Sequence, residues 1–469
     1  MGNSTKTTKV PDLPLKTKIW YGVGYLPDSL LNNAYALLIF IVYDGELRLG
    51  AAAIGLVGMI IRLWDAFNDP LIGNFSDHTR TRWGRRRPYV VAGAVTGALC
   101  TLLLWNPPTG WSSSSLWWYV LVVAFLYYTA FSLYSVPYFA LGLEMSPAQR
   151  DRDAVMGWRV AANNIVLCAL PFVPMLIFSG VLGANALESL ARFSFVLAFL
   201  ILGLGLLAAW MLPEPLELPV VASKVPGLWD GLKCALRNGP FLQATGIVSL
   251  ALLALVVWSS MVYYMNLAFV YPVGDLAARK VDATRLMALT GFCGAFAGFG
   301  LAPFVGGMAA RIGRKPLLYA ALVLMVFSLI VSPWLFRPDV PAIQVVFHVL
   351  FVAGITFVFV LTAPMVGEVC DLDEIEEGTR REGLFSAFFS LGFKISIAIA
   401  LFAGGVLVSA SGFSFDTQGQ SAATLGQLKL SFAALPILCL VGAFLLVRGY
   451  PLNAEVIARH RLARQSASA

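Results

Sequence analysis

Charged residues are scarce in this sequence. Asp, Glu, Lys and Arg together make up 13% of its 469 residues, whereas 58% of the residues are hydrophobic. A soluble globular protein of this length carries about 25% charged residues. The composition therefore excludes a soluble globular protein, and the mean hydropathy of +0.77 is typical of a chain that crosses the membrane many times.

Residues that bind metals or attack substrates are few and scattered. The three histidines, His78, His348 and His460, form no cluster in the sequence. The six cysteines stand singly, and no two of them have the spacing of a metal site or a redox motif. The HExxH and GxSxG motifs of hydrolases are also absent. We therefore expect that the protein is not an enzyme and that it has no cofactor.

Long apolar runs fill most of the chain. A membrane-spanning helix needs about 20 mostly apolar residues. These runs are too long and too continuously apolar for the strands of a membrane barrel, which alternate over about ten residues. The sequence predicts an all-α polytopic membrane protein with twelve transmembrane helices, at roughly 19–43, 51–76, 88–106, 116–145, 155–179, 192–213, 239–272, 285–310, 316–336, 341–369, 383–411 and 424–448.

Basic residues are distributed unequally between the two sides of these spans. Of the 33 Lys and Arg residues, 23 lie in the two tails and the even-numbered connections, and seven lie in the odd-numbered ones. Cytoplasmic loops of membrane proteins carry an excess of basic residues, so both termini are predicted to lie in the cytoplasm. The protein is predicted to lie in the inner (plasma) membrane of the cell. The same asymmetry accounts for the net charge of +7 without nucleic acid as a partner.

The sequence repeats itself at an offset of 229 residues. WGRRRP at 83–88 is echoed by IGRKP at 312–316, and QRDRDAV at 149–155 is echoed by GTRREGL at 378–384. Two six-helix halves in parallel repeat are the architecture of major facilitator transporters, so we predict the major facilitator fold with pseudo-symmetric halves. The predicted divisions are an N-terminal half at 1–213, a cytoplasmic linker at 214–238, a C-terminal half at 239–449 and a cytoplasmic tail at 450–469.

Two acidic residues lie inside the second apolar run. Asp65 and Asp69 are four residues apart, so they share one face of a helix. Each charge costs about 2.5–3.5 kcal/mol at mid-membrane, and two neighbouring carboxylates also repel each other. A bound Na⁺ or proton would remove both penalties, and Asn68 could contribute to such a site. The alternative is a structural ion pair with Arg62.

Several segments resemble the glycoside–pentoside–hexuronide cation symporters, a family typified by melibiose permease. WDAFNDPLIG followed by TRWGRRRP resembles the second helix of that family and the loop after it. The resemblance extends over nearly the whole chain, because four other segments agree with the family: 16–33, 135–159, 371–394 and 434–453. Eukaryotic lysolipid transporters carry versions of the same motifs, so the resemblance does not fix the substrate.

The resemblance implies roles for three further charged residues. In the family, the acid at the position of Asp28 accepts hydrogen bonds from sugar hydroxyls, although here a turn facing water is the alternative. Arg159 is implied to line the sugar pocket, with an ion pair in a gate as its alternative. Lys394 is implied to face the acids of the other half, and a buried lysine does need such a partner. Ser390 lies one helical turn before Lys394, and its hydroxyl could donate to the ligand or bind the ion through its oxygen.

The sequence departs from the family in the fourth helix. Ser135 occupies the position of a second sugar-binding acid, and Phe139 replaces a tryptophan. Tyr138 and Phe139 could still form a platform on which a sugar ring stacks. Because an acid is missing, the resemblance predicts neither galactoside specificity nor a choice between H⁺ and Na⁺.

The basic loop after the second span fixes orientation, and in the superfamily it braces the outward-open state. We predict that it forms part of a gate, together with the charged loop at 371–382; a solvated run of charge is the alternative. The predicted gating residues are Asp77, Arg85, Glu144, Arg152 and Arg381.

Together these features predict a monomeric secondary active symporter that couples entry of H⁺ or Na⁺ to uptake of a sugar or glycoside by alternating access. Its partners are then a small-molecule substrate, a coupling cation and the lipid bilayer. A cation-coupled transporter of an amphipathic lipid such as a lysolipid is the alternative. A non-transporting membrane sensor fits less well, because it would not need to keep Asp65 and Asp69.

Overall fold

The computed structural model describes residues 13–146, 148–213, 228–377, 381–417 and 419–451, and these form α-helices joined by short connections. Twelve helical segments of the described residues are long and apolar enough to cross a membrane, which confirms the predicted number. The helices are α1 Leu15–Ile39, α2 Ala51–His78, α3 Arg87–Trp105, α4 Ser113–Glu144, α5 Gln149–Ala169, α6 Phe172–Phe178, α7 Ala186–Met211, α8 Leu228–Arg237, α9 Gly239–Met265, α10 Leu276–Ile312, α11 Arg314–Leu335, α12 Gln344–Glu377, α13 Glu382–Ala410 and α14 Ala422–Gly449.

Several helices begin or end outside the apolar runs that predicted them. The prediction placed the start of the eighth span near residue 285, whereas α10 begins at Leu276. Asp275 caps this helix by accepting hydrogen bonds from the backbone amides of Ala277 and Ala278 at 3.1 and 3.3 Å. A side-chain cap of this kind starts a helix independently of hydropathy, so the polar turns before the membrane remain helical.

The first and the seventh spans end alike. Helix α1 continues into a π-helix at Phe40–Asp44, and α9 continues into a π-helix at Asn266–Val270. Short π-helices are rare in proteins, and many of those known lie at functional sites. A π-helix thus follows the first α-helix of each predicted half, which agrees with the repeat in the sequence.

The chain forms two compact units, each with its own packing. The first comprises the described residues of Met1–Ala36, Phe67–Leu170 and Gly180–Val221, and the second comprises those of Leu37–Ala66, Pro171–Ser179 and Ala222–Ala469. In the hydrophobic core of the first unit, Tyr138 stacks on Tyr21 and on Tyr134, with ring centroids 4.8 and 5.4 Å apart. The predicted division into halves at 1–213 and 239–449 remains a prediction.

Candidate substrate and cation sites

Asp28 lies inside α1, within the first unit. Pro27 is inside the same helix and cannot donate to the carbonyl of Val23, yet the helix continues through it, so Asp28 does not lie in a turn. The Asp28 residue is only 4% exposed, and its Oδ1 atom has no hydrogen-bond partner among the described residues. A buried carboxylate in this position is costly and is suited to accept hydroxyl donors from a ligand.

Arg159 of α5 lies between two aromatic rings of the first unit. Its Cζ atom is 4.6 Å from the ring centroid of Tyr25 and 4.6 Å from that of Phe139. Its Nη2 also donates to the Tyr25 hydroxyl at 3.4 Å. The Ser135 and Tyr25 hydroxyls hydrogen-bond to the Asp28 carboxylate, and the charges of Arg159 and Asp69 also act on it. The structure thus brings four predicted residues into one polar cluster, and it adds Tyr25.

Phe139 and Tyr138 have opposite environments. Phe139 is 40% exposed, so its ring is accessible beside Arg159. Tyr138 is 1% exposed, stacks on Tyr21 and donates its hydroxyl to the Tyr21 carbonyl. The expectation that Tyr138 shares a stacking platform with Phe139 is therefore corrected, because the Tyr138 ring is committed to the core of the first unit.

Asp65 is the most buried acid of α2 and lies in the second unit. The Lys394 Nζ atom is 3.0 Å from Oδ2 of Asp65 and donates to the Asp65 carbonyl at 3.1 Å. The Arg62 Nη1 atom lies 3.8 Å from the same Oδ2. Asp65 is 1% exposed, so its charge is compensated by two cations rather than by water. The sequence left open whether the partner of Asp65 is Arg62 or Lys394, and the structure shows both.

Small residues bring α2 and α13 close enough for this ion pair. A Cβ atom added to Gly58 would lie 3.0 Å from the Leu401 side chain, and one added to Gly405 would lie 2.2 Å from the Ala51 carbonyl oxygen. Further along, the Ala52 amide donates to the Ser409 hydroxyl at 2.9 Å. These contacts continue the Asp65–Lys394 pairing in antiparallel order, so the helix packing sets the position of the ammonium group.

The other predicted residues of these sites lie on the same helices. Asn68 is 4% exposed, and its Nδ2 atom has no hydrogen-bond partner among the described residues. Asp69 is half-buried one turn after Asp65, and Ser390 is exposed one turn before Lys394. Within the described residues no cluster of three or more His, Cys, Asp or Glu side chains could hold a metal ion. The cation site at Asp65, Asp69 and Asn68 remains a prediction.

The predicted gating residues of the first unit form a compact charge cluster. Glu144 accepts from Arg85 at 2.7 Å and from Arg86 at 2.8 Å, and Arg86 also contacts the Asp77 carboxylate at 2.5 Å. Arg86 is 5% exposed and donates to Ser76 at 2.7 Å. Arg86, which the sequence did not single out, is therefore the central residue of the cluster.

Arg152 and Arg381 have local partners. Arg152 donates to the Ser146 carbonyl at 3.3 Å in the first unit. Arg381, in the second unit, pairs with both oxygens of Asp373 at 2.8 and 2.5 Å. The predicted lock between the loop at 371–382 and Glu144 stays a prediction, and residues 378–380 of that loop lie outside the described residues.

A second buried charge cluster was missed by the sequence analysis. Tyr264 donates to Asp44 Oδ2 at 2.5 Å, and both residues are at least 94% buried. Lys280 donates to the Gly45 carbonyl at 2.9 Å and pairs with Glu46. Asp44 and Glu46 lie at the end of an apolar run, where the sequence predicts a loop, although two acids separated by one residue could have indicated an ion-pair network.

The second unit thus contains a buried acid compensated by a lysine, and the first unit contains an arginine held between aromatic rings; the described residues include twelve membrane-spanning segments. A family model described as "MFS/sugar transport protein" matches residues 20–454, which is nearly the whole chain. The chain belongs to this family. The family confirms the predicted resemblance and the major facilitator fold, and it identifies a multi-pass membrane transporter.

Relatives with assigned names cover this MFS/sugar transport family member to different extents. A glucuronide carrier protein homologue of Escherichia coli is 25% identical over 94% of this chain and 93% of its own length. A sodium-dependent lysophosphatidylcholine symporter of Danio rerio is 30% identical, but over only 34% of this chain and 31% of its own. The crystal structure of a D-xylose–proton symporter has the same fold, with a TM-score of 0.60, 14% identity and coverage of 92% of this chain and 96% of that one.

Proposed function

We propose that the protein is a symporter that couples entry of H⁺ or Na⁺ to uptake of a sugar or glycoside by alternating access. It acts as a monomer in the inner membrane with both termini in the cytoplasm, and it needs no cofactor and catalyses no reaction. The family match and the full-length glucuronide carrier homologue support a sugar-type substrate.

The ion pair between Asp65 and Lys394 is the observation that carries this proposal. An unpaired carboxylate in the membrane interior is costly, so Asp65 requires a positive partner at every stage of transport. Lys394 supplies that partner as a tethered ammonium 3.0 Å away. When a free cation binds the carboxylate, Lys394 is released from this role. The coupling ion and Lys394 thus alternate as the countercharge of Asp65.

The cluster around Asp28 supplies the chemistry for a polyhydroxylated ligand. A carboxylate accepts two neighbouring hydroxyl donors, and Arg159 can donate to hydroxyl or carboxylate oxygens. The exposed ring of Phe139 offers a flat apolar surface beside these charges. Sugars present hydroxyl edges and apolar ring faces, so this combination suits them.

An amphipathic lipid is the second candidate for the substrate. The partial match to the lysophosphatidylcholine symporter favours it, although that match is confined to about a third of the chain. Counterflow assays with radiolabelled glycosides and with radiolabelled lysolipids separate the two candidates, because a compound exchanges across the membrane only if the protein transports it.

Uptake into proteoliposomes tests the proposal. Radiolabelled glycosides are supplied under imposed Na⁺ or H⁺ gradients, with Asp65→Asn and Asp69→Asn as variants. Both variants should lose gradient-driven accumulation while downhill exchange survives. Glu188→Gln is the matched control, because Glu188 is an exposed acid paired with Arg192 on the surface. Undiminished accumulation in both Asp variants would contradict cation coupling at these acids.

A further inference from the structure

The second unit contains a cavity of about 660 Å³ that uses none of the residues assigned to the cation or the substrate. It lies between the end of α10, the start of α11, residues 360–368 of α12 and the C-terminal end of α14. Ligand cavities in proteins have volumes of about 300–1,000 Å³. The cavity is therefore large enough for a polar group together with part of an acyl chain.

Two basic residues and one acid line this cavity. Arg314 pairs with Glu368 at 2.5 Å, and the Tyr450 hydroxyl lies 3.4 Å from the same carboxylate and donates to the Met365 carbonyl at 3.2 Å. Burial raises the pKa of Tyr450, so its phenol stays protonated. Lys315 also lines the cavity, and no carboxylate among the described residues pairs with it. One positive charge is therefore in excess.

The corresponding cluster in the first unit is balanced. There Arg85 and Arg86 face two carboxylates, Asp77 and Glu144. The repeat places Arg314 and Lys315 at the positions of these two arginines. Among the residues that line the cavity Glu368 is the one acid, so two basic residues face one carboxylate here, whereas the two arginines of the first unit face two.

Small side chains open the cavity beside Arg314 and Lys315. Gly306, Ala309 and Ala310 lie in the last two turns of α10 and carry at most a methyl group. All three line the cavity, and a Cβ atom added to Gly306 would meet no atom within 4 Å. The cavity therefore has room for an external anion next to the two basic residues.

The rest of the lining indicates what carries this anion. Leu318, Val360, Leu361, Met365 and Val447 form an apolar wall next to the basic residues. A free phosphate ion would leave this wall uncovered, whereas the acyl chain of a bilayer lipid can pack along it while its phosphate stays at the basic residues. Charge and apolar surface together favour an anionic lipid over a soluble anion.

We propose that this cavity binds an anionic phospholipid of the surrounding bilayer, with its phosphate at Lys315 and Arg314 and an acyl chain along Leu361 and Met365. The lipid phosphate supplies the second negative charge next to Arg314 and Lys315. Lipid binding at this cavity is separate from substrate transport, so the two can be tested independently.

Native mass spectrometry of the detergent-purified full chain tests this site, with short-chain phosphatidylglycerol compared with phosphatidylcholine of the same chains. Lys315→Gln should weaken phosphatidylglycerol binding about tenfold, because one charge-assisted hydrogen bond is lost, and Lys315→Arg should retain it. Gly306→Asp places a carboxylate in the cavity and should weaken binding similarly.

Matched variants separate charge from shape. The Gly306→Asn side chain has the size of aspartate but no charge. Gly307→Asp places the same charge on a neighbouring residue that does not line the cavity, where an added Cβ atom would also meet no atom within 4 Å. Both should bind phosphatidylglycerol like the unchanged protein. Equal binding of the two lipids, or unchanged binding in Lys315→Gln, overturns the proposal. Complete displacement of the lipid by millimolar glycerol phosphate also overturns it, since the site would then recognise a soluble anion.

Discussion

A double-mutant cycle on Asp65 and Lys394 probes the ion pair most directly. Lys394→Gln leaves Asp65, which is 1% exposed, with Arg62 at 3.8 Å as its remaining cation. Removing one partner of a buried pair costs about 3–5 kcal/mol. Arg62 remains and the Lys394 side chain is 16% exposed, so we expect the lower end, about 3 kcal/mol.

Asp65→Asn should cost a similar amount, because it leaves the ammonium without its carboxylate. The double variant removes both charges, so it should cost about as much as either single change, and the coupling energy should be about 2–3 kcal/mol. The measurement is the free energy of unfolding of purified protein in mixed detergent micelles. The exposed pair Glu188 and Arg192, with 38% and 61% of the side chains accessible, is the control cycle and should give at most about 0.5 kcal/mol.

A coupling energy for Asp65 and Lys394 no larger than that of the control would refute the reasoning. The two charges would then be screened by solvent, and Lys394 could not act as an alternating countercharge. Additivity would therefore remove the energetic basis of the proposed coupling as well as the description of the pair.

Three further predictions concern the other clusters. Asp77→Ala removes one of the two carboxylates at Arg86 and should shift the carrier about fivefold toward the inward-open state, as a contact worth about 1 kcal/mol allows; unchanged cysteine accessibility would contradict it. Asp28→Asn should weaken glycoside binding at least tenfold without changing the cation dependence of the binding that remains, as titration calorimetry can measure. Asp44→Asn takes the charged acceptor from the Tyr264 hydroxyl and should lower the free energy of unfolding by about 1–3 kcal/mol, whereas Asp416→Asn, at an 83% exposed side chain, should have little effect.

The number of membrane-spanning segments followed from the sequence because a local excess of apolar residues is enough to identify them. Helix ends did not, since they depend on caps such as Asp275 and on breaks such as the one at Pro171 between α5 and α6. The resemblance to the superfamily predicted a charged gate at the basic loop, yet it could not show that Arg86 would be the central residue. That position is decided by packing, which leaves Arg86 5% exposed.

The candidate site shows the same limit. Asp28, Arg159 and Lys394 stood out because ionisable residues in apolar runs are costly and need partners. Tyr25 did not stand out, because a tyrosine in a membrane helix is unremarkable until its ring is found under a guanidinium. Tyr138 was misjudged for the same reason, since a periodic pattern does not tell whether an aromatic ring faces a cavity or the core.

The ion pair between Asp65 and Lys394 depends on the small residues that let α2 and α13 pack closely. Lys394 donates to the backbone carbonyl of Asp65, which is possible only if the two helices approach closely. Gly405 permits that approach, because any Cβ atom there would overlap the Ala51 carbonyl oxygen. Separating the helices at Gly405 would therefore draw the ammonium away from Asp65. A bulky substitution far from the ions, such as Gly405→Val, must then change cation dependence and stability together, whereas a packing role alone would change stability and leave the cation dependence as it is.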